Sequence, residues 1–576
     1  MKKLKQFKIL WDFIEKDKFK LIVASFIIFI AGISSIFTGY LNGAAVEAIT
    51  KNALQDALKY LGIYFLIELF IEGFLHLFAH SLLQKIESHL TRQLGYETYK
   101  KALNLPAVAY EDLTSGEVIN RITYDADTLS FTFKNILEVF SHLVGTIIIF
   151  IYIVFNSILI SIYILVFVLL LIIVLKIYTP KMKKVHKERK QGQDKFTSLT
   201  TESIRGIREI KTLGIKNNLL SDMRDIMKYL IDKSYKEVDV NNRFRMINKI
   251  LRATLEVGTF IICIILLYFN QITLTFFIAM TYYIYRFMYL MDSMENLTET
   301  YQRVSVSLGR VSEILDNKLY QDVKFGTKKL KDIKGVIEFK NVSFAYPKEK
   351  NTLKNFNLLL EPNKKIAIVG RSGQGKSTLF NLITRIFDPK YGSITIDGID
   401  IKELDEKTLR QQISIIRQEP FIFNRSIKDN FKLIDPKITL DEIRKYSKMA
   451  YLDDYIMSLP KKYNTFLGEG GVNLSGGQKQ RLSIARTLAK NSKIILFDEA
   501  TSALDNSSQE YIKKSIDELV KDHTVIIVAH RLSTIIDADI IYVVDGGKII
   551  AQGTHKELLK NNKQYKTLYE KESLNS

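Results

Sequence analysis

Apolar residues fall into six long runs in the first half of the chain and into short strand-length runs in the second, and this change of pattern divides the sequence. A bilayer-crossing helix needs ~20 mostly apolar residues. Six stretches have that character: Leu21 to Ala44, Leu58 to Leu82, Phe131 to Phe155, Ile158 to Tyr178, Leu251 to Phe269 and Ile272 to Met291. Little more than Asn156-Ser157 separates the third from the fourth, and Asn270-Gln271 the fifth from the sixth, so each pair is expected to form a hairpin with a tight turn. Between spans two and three, and again between four and five, lie long polar segments of helical periodicity, which are expected to extend the spans into water on one side. From Val336 onward strands alternate with helices, as in a soluble α/β protein. The expected division is a membrane domain over 1–316, a linker over 317–335 and an α/β domain over 336–576.

Charge decides which side is which. The chain of 576 residues carries a formal net charge of +20, and the stretch from Lys176 to Arg252 is dense in Lys and Arg, whereas the short links near Asn156 and Asn270 have neither. Cytoplasmic loops collect such cations, so the long polar segments and the α/β domain are expected on the cytoplasmic side of a plasma membrane crossed many times. A basic balance also suits a nucleic-acid binder, but the spans favour the membrane explanation and no nucleic-acid partner is expected. The amino terminus, MKKLKQFKILWDFIEKDKFK, is basic and amphipathic and lacks a small-residue cleavage site, which reads as a membrane-surface helix before the first crossing. A single cysteine, Cys263, lies inside an apolar run, so a disulfide framework or a Cys-rich metal site within the chain is excluded. Richness in Lys, Ile and Asn is a compositional sign of an AT-rich bacterial genome.

The second half carries the chemistry. Strand-like Lys365-Ile366-Ala367-Ile368-Val369 runs into Gly370-Arg371-Ser372-Gly373-Gln374-Gly375-Lys376-Ser377, and a helix opens at Thr378-Leu379-Phe380. This is a phosphate-binding loop in its required context, which by itself implies only a nucleotide: the glycines let backbone N–H groups wrap the phosphates, Lys376 reaches the β and γ phosphates, and Ser377 offers a hydroxyl to Mg²⁺. A second apolar strand, Ile494 to Phe497, ends in Asp498-Glu499, which sets two carboxylates at the carboxyl edge of a parallel sheet. Asp498 is expected in the magnesium shell, and Glu499 is placed to polarise the attacking water as general base. Between them Leu474-Ser475-Gly476-Gly477-Gln478 precedes a helical run, so Ser475 and Gly477 present a hydroxyl and amides at a helix N-terminus, a second anion site.

With that pentapeptide the chain resembles the ATP-binding-cassette family, and the resemblance extends over its whole length. It implies the fold of the exporter type: a helical membrane domain of six spans followed by an α/β P-loop ATPase cassette. It further implies that Ser475, Gly477 and Gln478 cap the γ-phosphate held by the opposite domain, so that the ATPase is complete only when two domains meet. Tyr346 matches the aromatic that stacks on adenine, Gln418 the glutamine that senses magnesium and links to the membrane domain, and His530 the switch histidine that contacts the γ-phosphate. Thr465 to Gly471, with Glu469, resembles the exporter-type loop before the signature, and Ser502-Ala503-Leu504-Asp505 the dimer-contact loop. Gly116 to Asp125 and Glu202 to Gly214 resemble the two coupling helices, which in the family rest in grooves on the ATPase domains. The catalytic set implied is therefore Glu499, His530 and Lys376, the metal set Ser377, Gln418 and Asp498, and the partner a second copy of the chain or a related half-transporter.

Ionisable residues inside spans are costly and usually face a cavity. Span two carries Glu68, Glu72, His76 and His80 at four-residue steps, span three adds Glu138 and His142, and span five Glu256. An acidic, histidine-bearing cavity suits a cationic amphiphile; a metal or proton site and a plain wet cavity wall are the competing readings. The cargo expected is a multidrug or lipid-like amphiphile in contact with membrane lipid, with a small peptide or bacteriocin as the alternative. No peptidase-like segment precedes the first span, which disfavours a leader-cleaving exporter. A soluble cassette ATPase would lack the spans, and an ATP-gated channel is separated from an exporter by unidirectional flux coupled to turnover.

Overall fold

A computed structural model describes residues 13, 15–113, 115–316, 323–330, 333–346, 352–371, 373–468, 471–498, 506–528 and 535–573. The chain forms two compact units, Met1–Leu103 with Ser115–Leu319, and Asn104–Thr114 with Tyr320–Ser576. The basic amino-terminal segment before residue 13 lies outside the described residues.

In the first unit six long helices carry the apolar runs: α1 (Lys18–Thr50), α2 (Leu54–Leu103), α3 (Ala126–Asn156), α4 (Ile158–Arg205), α5 (Lys216–Tyr268) and α6 (Leu274–Leu315). All six run past the apolar stretches that mark them. The 53 residues of α5 would reach ~80 Å at the α-helical rise, against a hydrocarbon core of ~30 Å, so most of that helix lies in water. Among the described residues α1, α2, α4 and α5 are long and apolar enough to cross a membrane. In α3 and α6 several side chains lie outside the described residues, and the apolar part of α3 that remains is His142–Asn156.

The tight turns sit where the polar breaks fall. Ser157 is extended and caps α4, its hydroxyl accepting from the Ile160 N–H at 3.4 Å. Asn270 turns the chain with φ of 54°, and the Thr273 hydroxyl caps α6 by accepting from the Phe276 N–H at 3.1 Å. Glycine lets the helices approach closely: a Cβ on Gly43 of α1 would lie 2.2 Å from the Thr275 carbonyl oxygen of α6. Beyond the apolar stretches, α4 and α5 are held to each other by charge, with Lys233 donating to Glu188 at 2.7 Å and His186 lying 3.0 Å from Glu237. The first excursion folds as a short helix, Ser115–Asn120, followed by widened turns at Arg121–Asp125. There Asp125 accepts from the Ser307 hydroxyl at 2.6 Å and Arg121 pairs with Glu313 at 2.8 Å, which clamps the excursion to the last turns of α6. The second excursion is a short helix, Ile207–Leu213, ended by Gly214 at φ of 67°.

Among the described residues the second unit has ten strands: β1 (Ile337–Phe344), β2 (Leu353–Leu360), β3 (Lys365–Val369), β4 (Tyr391–Ile396), β5 (Ile399–Asp400), β6 (Ile413–Ile416), β7 (Ile494–Asp498), β8 (Thr524–Val528), β9 (Ile540–Asp545) and β10 (Lys548–Gly553). They build an antiparallel sheet in the order β2-β1-β4-β5 and a second sheet in the order β10-β9-β3-β8-β7-β6. In the second sheet β9, β3, β8, β7 and β6 run parallel and β10 is antiparallel at its edge. Every residue of β3 and β8 is buried, the pattern of parallel strands covered on both faces. Even Lys365, at the start of β3, is buried, because Asp517 and Asp537 accept from its ammonium at 2.8 and 2.9 Å.

The stretch expected as a linker is bound into this unit where it is described. The Gly326 N–H donates to the Leu404 carbonyl at 3.0 Å, and Asp397 accepts from the N–H groups of Lys334 and Val336 at 2.8 and 2.9 Å. Phe325 lies under the guanidinium of Arg385, 4.5 Å from the ring centre. The carboxylate of Asp397 and the carbonyls of Glu403 and Leu404 thus take up N–H groups of this stretch.

Candidate nucleotide site

The buried strand β3 delivers the chain to the carboxyl edge of the sheet, where Gly370–Gly375 arches over the start of helix α7 (Lys376–Ile383). The arch depends on backbone that a side chain would strain, with Gly373 and Gly375 at φ of 78° and 85°. Lys376 is buried, and its ammonium donates to the carbonyls of Gly370 and Arg371 at 2.8 and 2.9 Å. A cation held by two neutral carbonyls at a helix N-terminus, inside a loop of backbone N–H groups, is organised to receive anionic oxygens. The next residue closes the site: the Ser377 hydroxyl donates to Asp498 Oδ1 at 3.1 Å, joining the start of α7 to the end of β7 although 121 residues separate them. Hydroxyl and carboxylate side by side are hard oxygen donors of the kind Mg²⁺ takes.

The other sequence-marked residues take their places around this loop. The Tyr346 hydroxyl accepts from Asn381 Nδ2 at 3.1 Å and lies 3.3 Å from the buried Thr378 hydroxyl, while its ring stands edge-on to Phe344 and Phe387. Its position is thus fixed by α7 itself. Gln374 accepts from the Gly546 N–H at 2.6 Å, a tie to the β9–β10 turn that the motif did not reveal; the Gly546-Gly547 pair was the available signal. A cavity of about 210 Å³ adjoins the loop, lined among others by Gly370, Arg371, Asp545 and Gln564. Gln418 is exposed after β6, and its carbonyl accepts from Gln480 Nε2 at 3.1 Å.

Ser475 caps helix α8 (Gly476–Lys490) in a capping box: its side chain accepts from the Gln478 N–H, and Gln478 Oε1 accepts from the Ser475 N–H at 2.9 Å. Ser475 is exposed and Gly477 buried. Between β6 and α8 runs a groove of about 770 Å³ rich in cations, with Arg410, Arg417, Arg486 and Lys490 on its walls beside the exposed Phe421. Lys490 donates to the Ile413 carbonyl at 2.8 Å, and burial, with Arg410 nearby, pulls its ammonium down to about 8. Ser372, Glu469, Glu499, Ser502 to Asp505 and His530 lie outside the described residues.

In the membrane unit the stripe on α2 lies partly in widened turns, Glu68–Leu75, followed directly by His76. The structure adds two residues that the stripe did not include: Ser34 of α1, whose hydroxyl donates to Glu72 at 3.2 Å, and Arg286 of α6, which lies in the field of Glu72. The side chain of Glu138 lies outside the described residues.

Residues 21–294 match the family model described as the ABC transporter transmembrane region, and residues 353–502 the one described as ABC transporter. The chain is 33% identical over 472 residues to the "Putative multidrug export ATP-binding/permease protein YgaD" of Bacillus subtilis (strain 168), covering 81% of each. It is 30% identical over 573 residues to the "ATP-dependent lipid A-core flippase" of Haemophilus influenzae (strain 86-028NP), covering 98% of this chain and 97% of the other. Among solved structures, that of a bacterial Atm1-family ABC exporter with ATP bound superposes with a TM-score of 0.81 at 23% identity, over 96% of this chain and 98% of that one, a likeness of fold.

Proposed function

The chain belongs to the ABC transporter family, a membrane-embedded ATP-driven exporter, and on that premise we propose that it works as a dimer of two such chains, each with six spans, moving an amphiphilic multidrug or lipid-like solute outward across a bacterial plasma membrane. The observation that carries the reading is the contact of Ser377 with Asp498, which assembles phosphate loop and carboxylate strand into one site. In this proposal 1–316 is the membrane domain, 317–335 the connection and 336–576 the cytoplasmic ATPase.

Lys376 gives up its loop carbonyls for the β and γ phosphates, Tyr346 stacks on adenine, and the amides of the loop from Gly370 to Thr378 hold the phosphate oxygens. Ser377, Asp498 and Gln418 would hold Mg²⁺, which when bound offsets the charge that builds on the transferring phosphoryl group. Glu499 takes the proton of the attacking water and His530 contacts the γ-phosphate. Ser475, Gly477 and Gln478 of the second copy close the site from the other side. Two-sided grip makes ATP bind the closed dimer more tightly than the open one, which is what a ligand must do to drive the change. The excursions around 116–125 and 202–214 carry closure to the spans, and hydrolysis resets them. The flippase and multidrug names of the relatives favour an amphiphile as cargo.

The test is the full chain reconstituted in proteoliposomes. ATP hydrolysis is expected, lost in Glu499→Gln with ATP retained, together with flux of an amphiphile in one direction only. Hydrolysis by the variant at the parent's rate refutes the base assignment, and bidirectional ATP-gated flux refutes export.

A further inference from the structure

The acidic and histidine side chains of α2 read from sequence as one equivalent stripe, and the structure makes them unequal. Glu72 is engaged: it accepts from Ser34 on α1 and stands in the field of Arg286 on α6. Arg286 also senses Tyr289, whose ring meets His142 of α3 edge-on at 4.5 Å. One turn earlier on α2, Glu68 is exposed, and among the described residues no lysine or arginine pairs with it. It lies in the field of Tyr282 of α6.

That tyrosine is one of three. Tyr282, Tyr285 and Tyr289 share one face of α6 at helical spacing and are 44%, 60% and 50% exposed. The Tyr285 hydroxyl donates to Glu256 of α5 at 3.4 Å, so a further carboxylate borders the same face. Among the described residues two carboxyl groups on α2 stand against one guanidinium on α6, an excess of acidic groups at a depth where uncompensated charge is costly. A tyrosine face presents its negative quadrupole to a cation. Glu68 stands where the widened turns of α2 begin, and such turns occur frequently at functional sites.

We propose that Glu68 and the tyrosine face of α6 form the recognition point for an organic cation, an amphiphile carrying an ammonium- or phosphonium-type charge on an apolar body. The proposal rests on the export reading above and narrows it. Glu72 is then a positioning residue, kept in place by Ser34 within the field of Arg286, while Glu68 touches the cargo.

Two probes of matching shape and opposite charge decide it: tetraphenylphosphonium and tetraphenylborate, titrated against the full chain in nanodiscs by equilibrium dialysis, with empty nanodiscs subtracted. Saturable binding of the cation alone is expected, weakened about tenfold in Glu68→Gln and recovered in Glu68→Asp. Should Glu68→Gln fail to assemble, Tyr282→Leu carries the same expectation through loss of the aromatic face. Equal binding of both probes, or cation binding unchanged in Glu68→Gln and Tyr282→Leu, overturns the proposal. Hydrolysis of ATP by the parent chain, measured on the same samples, separates the two failures: charge-blind binding with hydrolysis intact sinks only the cation site, whereas absent hydrolysis counts against the exporter reading.

Discussion

Lys490 illustrates how much a single buried charge can report. It sits in the last turn of α8, half-buried, with its ammonium on the Ile413 carbonyl at 2.8 Å and Arg410 close by. Lysine at a helix C-terminus is ordinarily favourable, but here burial dominates and lowers the group from 10.5 to about 8. Between those values the unfolded chain binds more protons than the folded one, so stability rises with pH across that window, and below it the burial penalty is complete. The penalty is on the order of 2 kcal/mol after solvent screening, against about 1 kcal/mol for the hydrogen bond. Lys490→Met keeps the length and removes the charge. It is expected to raise the unfolding midpoint of the full chain near pH ~7, with an advantage that shrinks as pH approaches ~10. A lower midpoint at both pH values would mean that the bond to Ile413 outweighs the burial.

At the scale of elements, the residue that caps α8 is also the one proposed to meet a γ-phosphate, and substitution can separate the two roles. Ser475 to Ala removes the capping hydroxyl and costs about 1 kcal/mol of helix stability, while Gly costs a few tenths because it tolerates the cap conformation. Both lose the hydroxyl that would meet a γ-phosphate. If that contact matters, Ser475→Ala and Ser475→Gly should hydrolyse ATP at equally reduced rates despite different thermal midpoints; rates that track the midpoints would assign Ser475 to folding alone. Elements of this sort were legible in the sequence because their signals are local: the pentapeptide before a helical period, the glycines after an apolar strand, Asn156-Ser157 and Asn270-Gln271 between apolar runs. Contacts between distant segments were not. The clamp of Asp125 on Ser307 joins residues 182 apart, and the tie of Gly546 to Gln374 joins residues 172 apart. Widened helical turns at Glu68–Leu75 and Arg121–Asp125 also have no sequence period of their own. Arg286 escaped notice for a related reason, since its weight comes from facing Glu72 on another helix.

At the scale of the whole molecule the proposed dimer has a decisive consequence, that each ATP site would be shared. In that proposal a phosphate loop grips the nucleotide from one chain and Ser475 from the other, so a two-fold dimer would have two sites, each mixed. Consider Lys376→Ala, which removes the ammonium that 2.8 and 2.9 Å contacts hold in the loop, and Ser475→Glu, which sets a carboxylate against the γ-phosphate. Homodimers of either variant have two broken sites and are expected to be inactive. In a mixed dimer both lesions fall in the same site, because the loop of the first chain faces the signature of the second. The other site combines the intact signature of the first chain with the intact loop of the second. Two dead variants, unfolded and refolded together or co-expressed with different tags, should therefore restore hydrolysis. Random pairing makes about half the dimers mixed, each with one good site of two, so about a quarter of the parent rate is expected if the sites act independently. A lower but measurable rate would indicate that the sites cooperate, and isolation of dimers carrying both tags would show it per molecule. A complete lack of activity in those doubly tagged dimers would refute alternate sharing only if a dimer of Lys376→Ala with the parent chain, which also keeps one intact site, remained active; that comparison makes the geometry of the assembled ATPase answerable from rates alone.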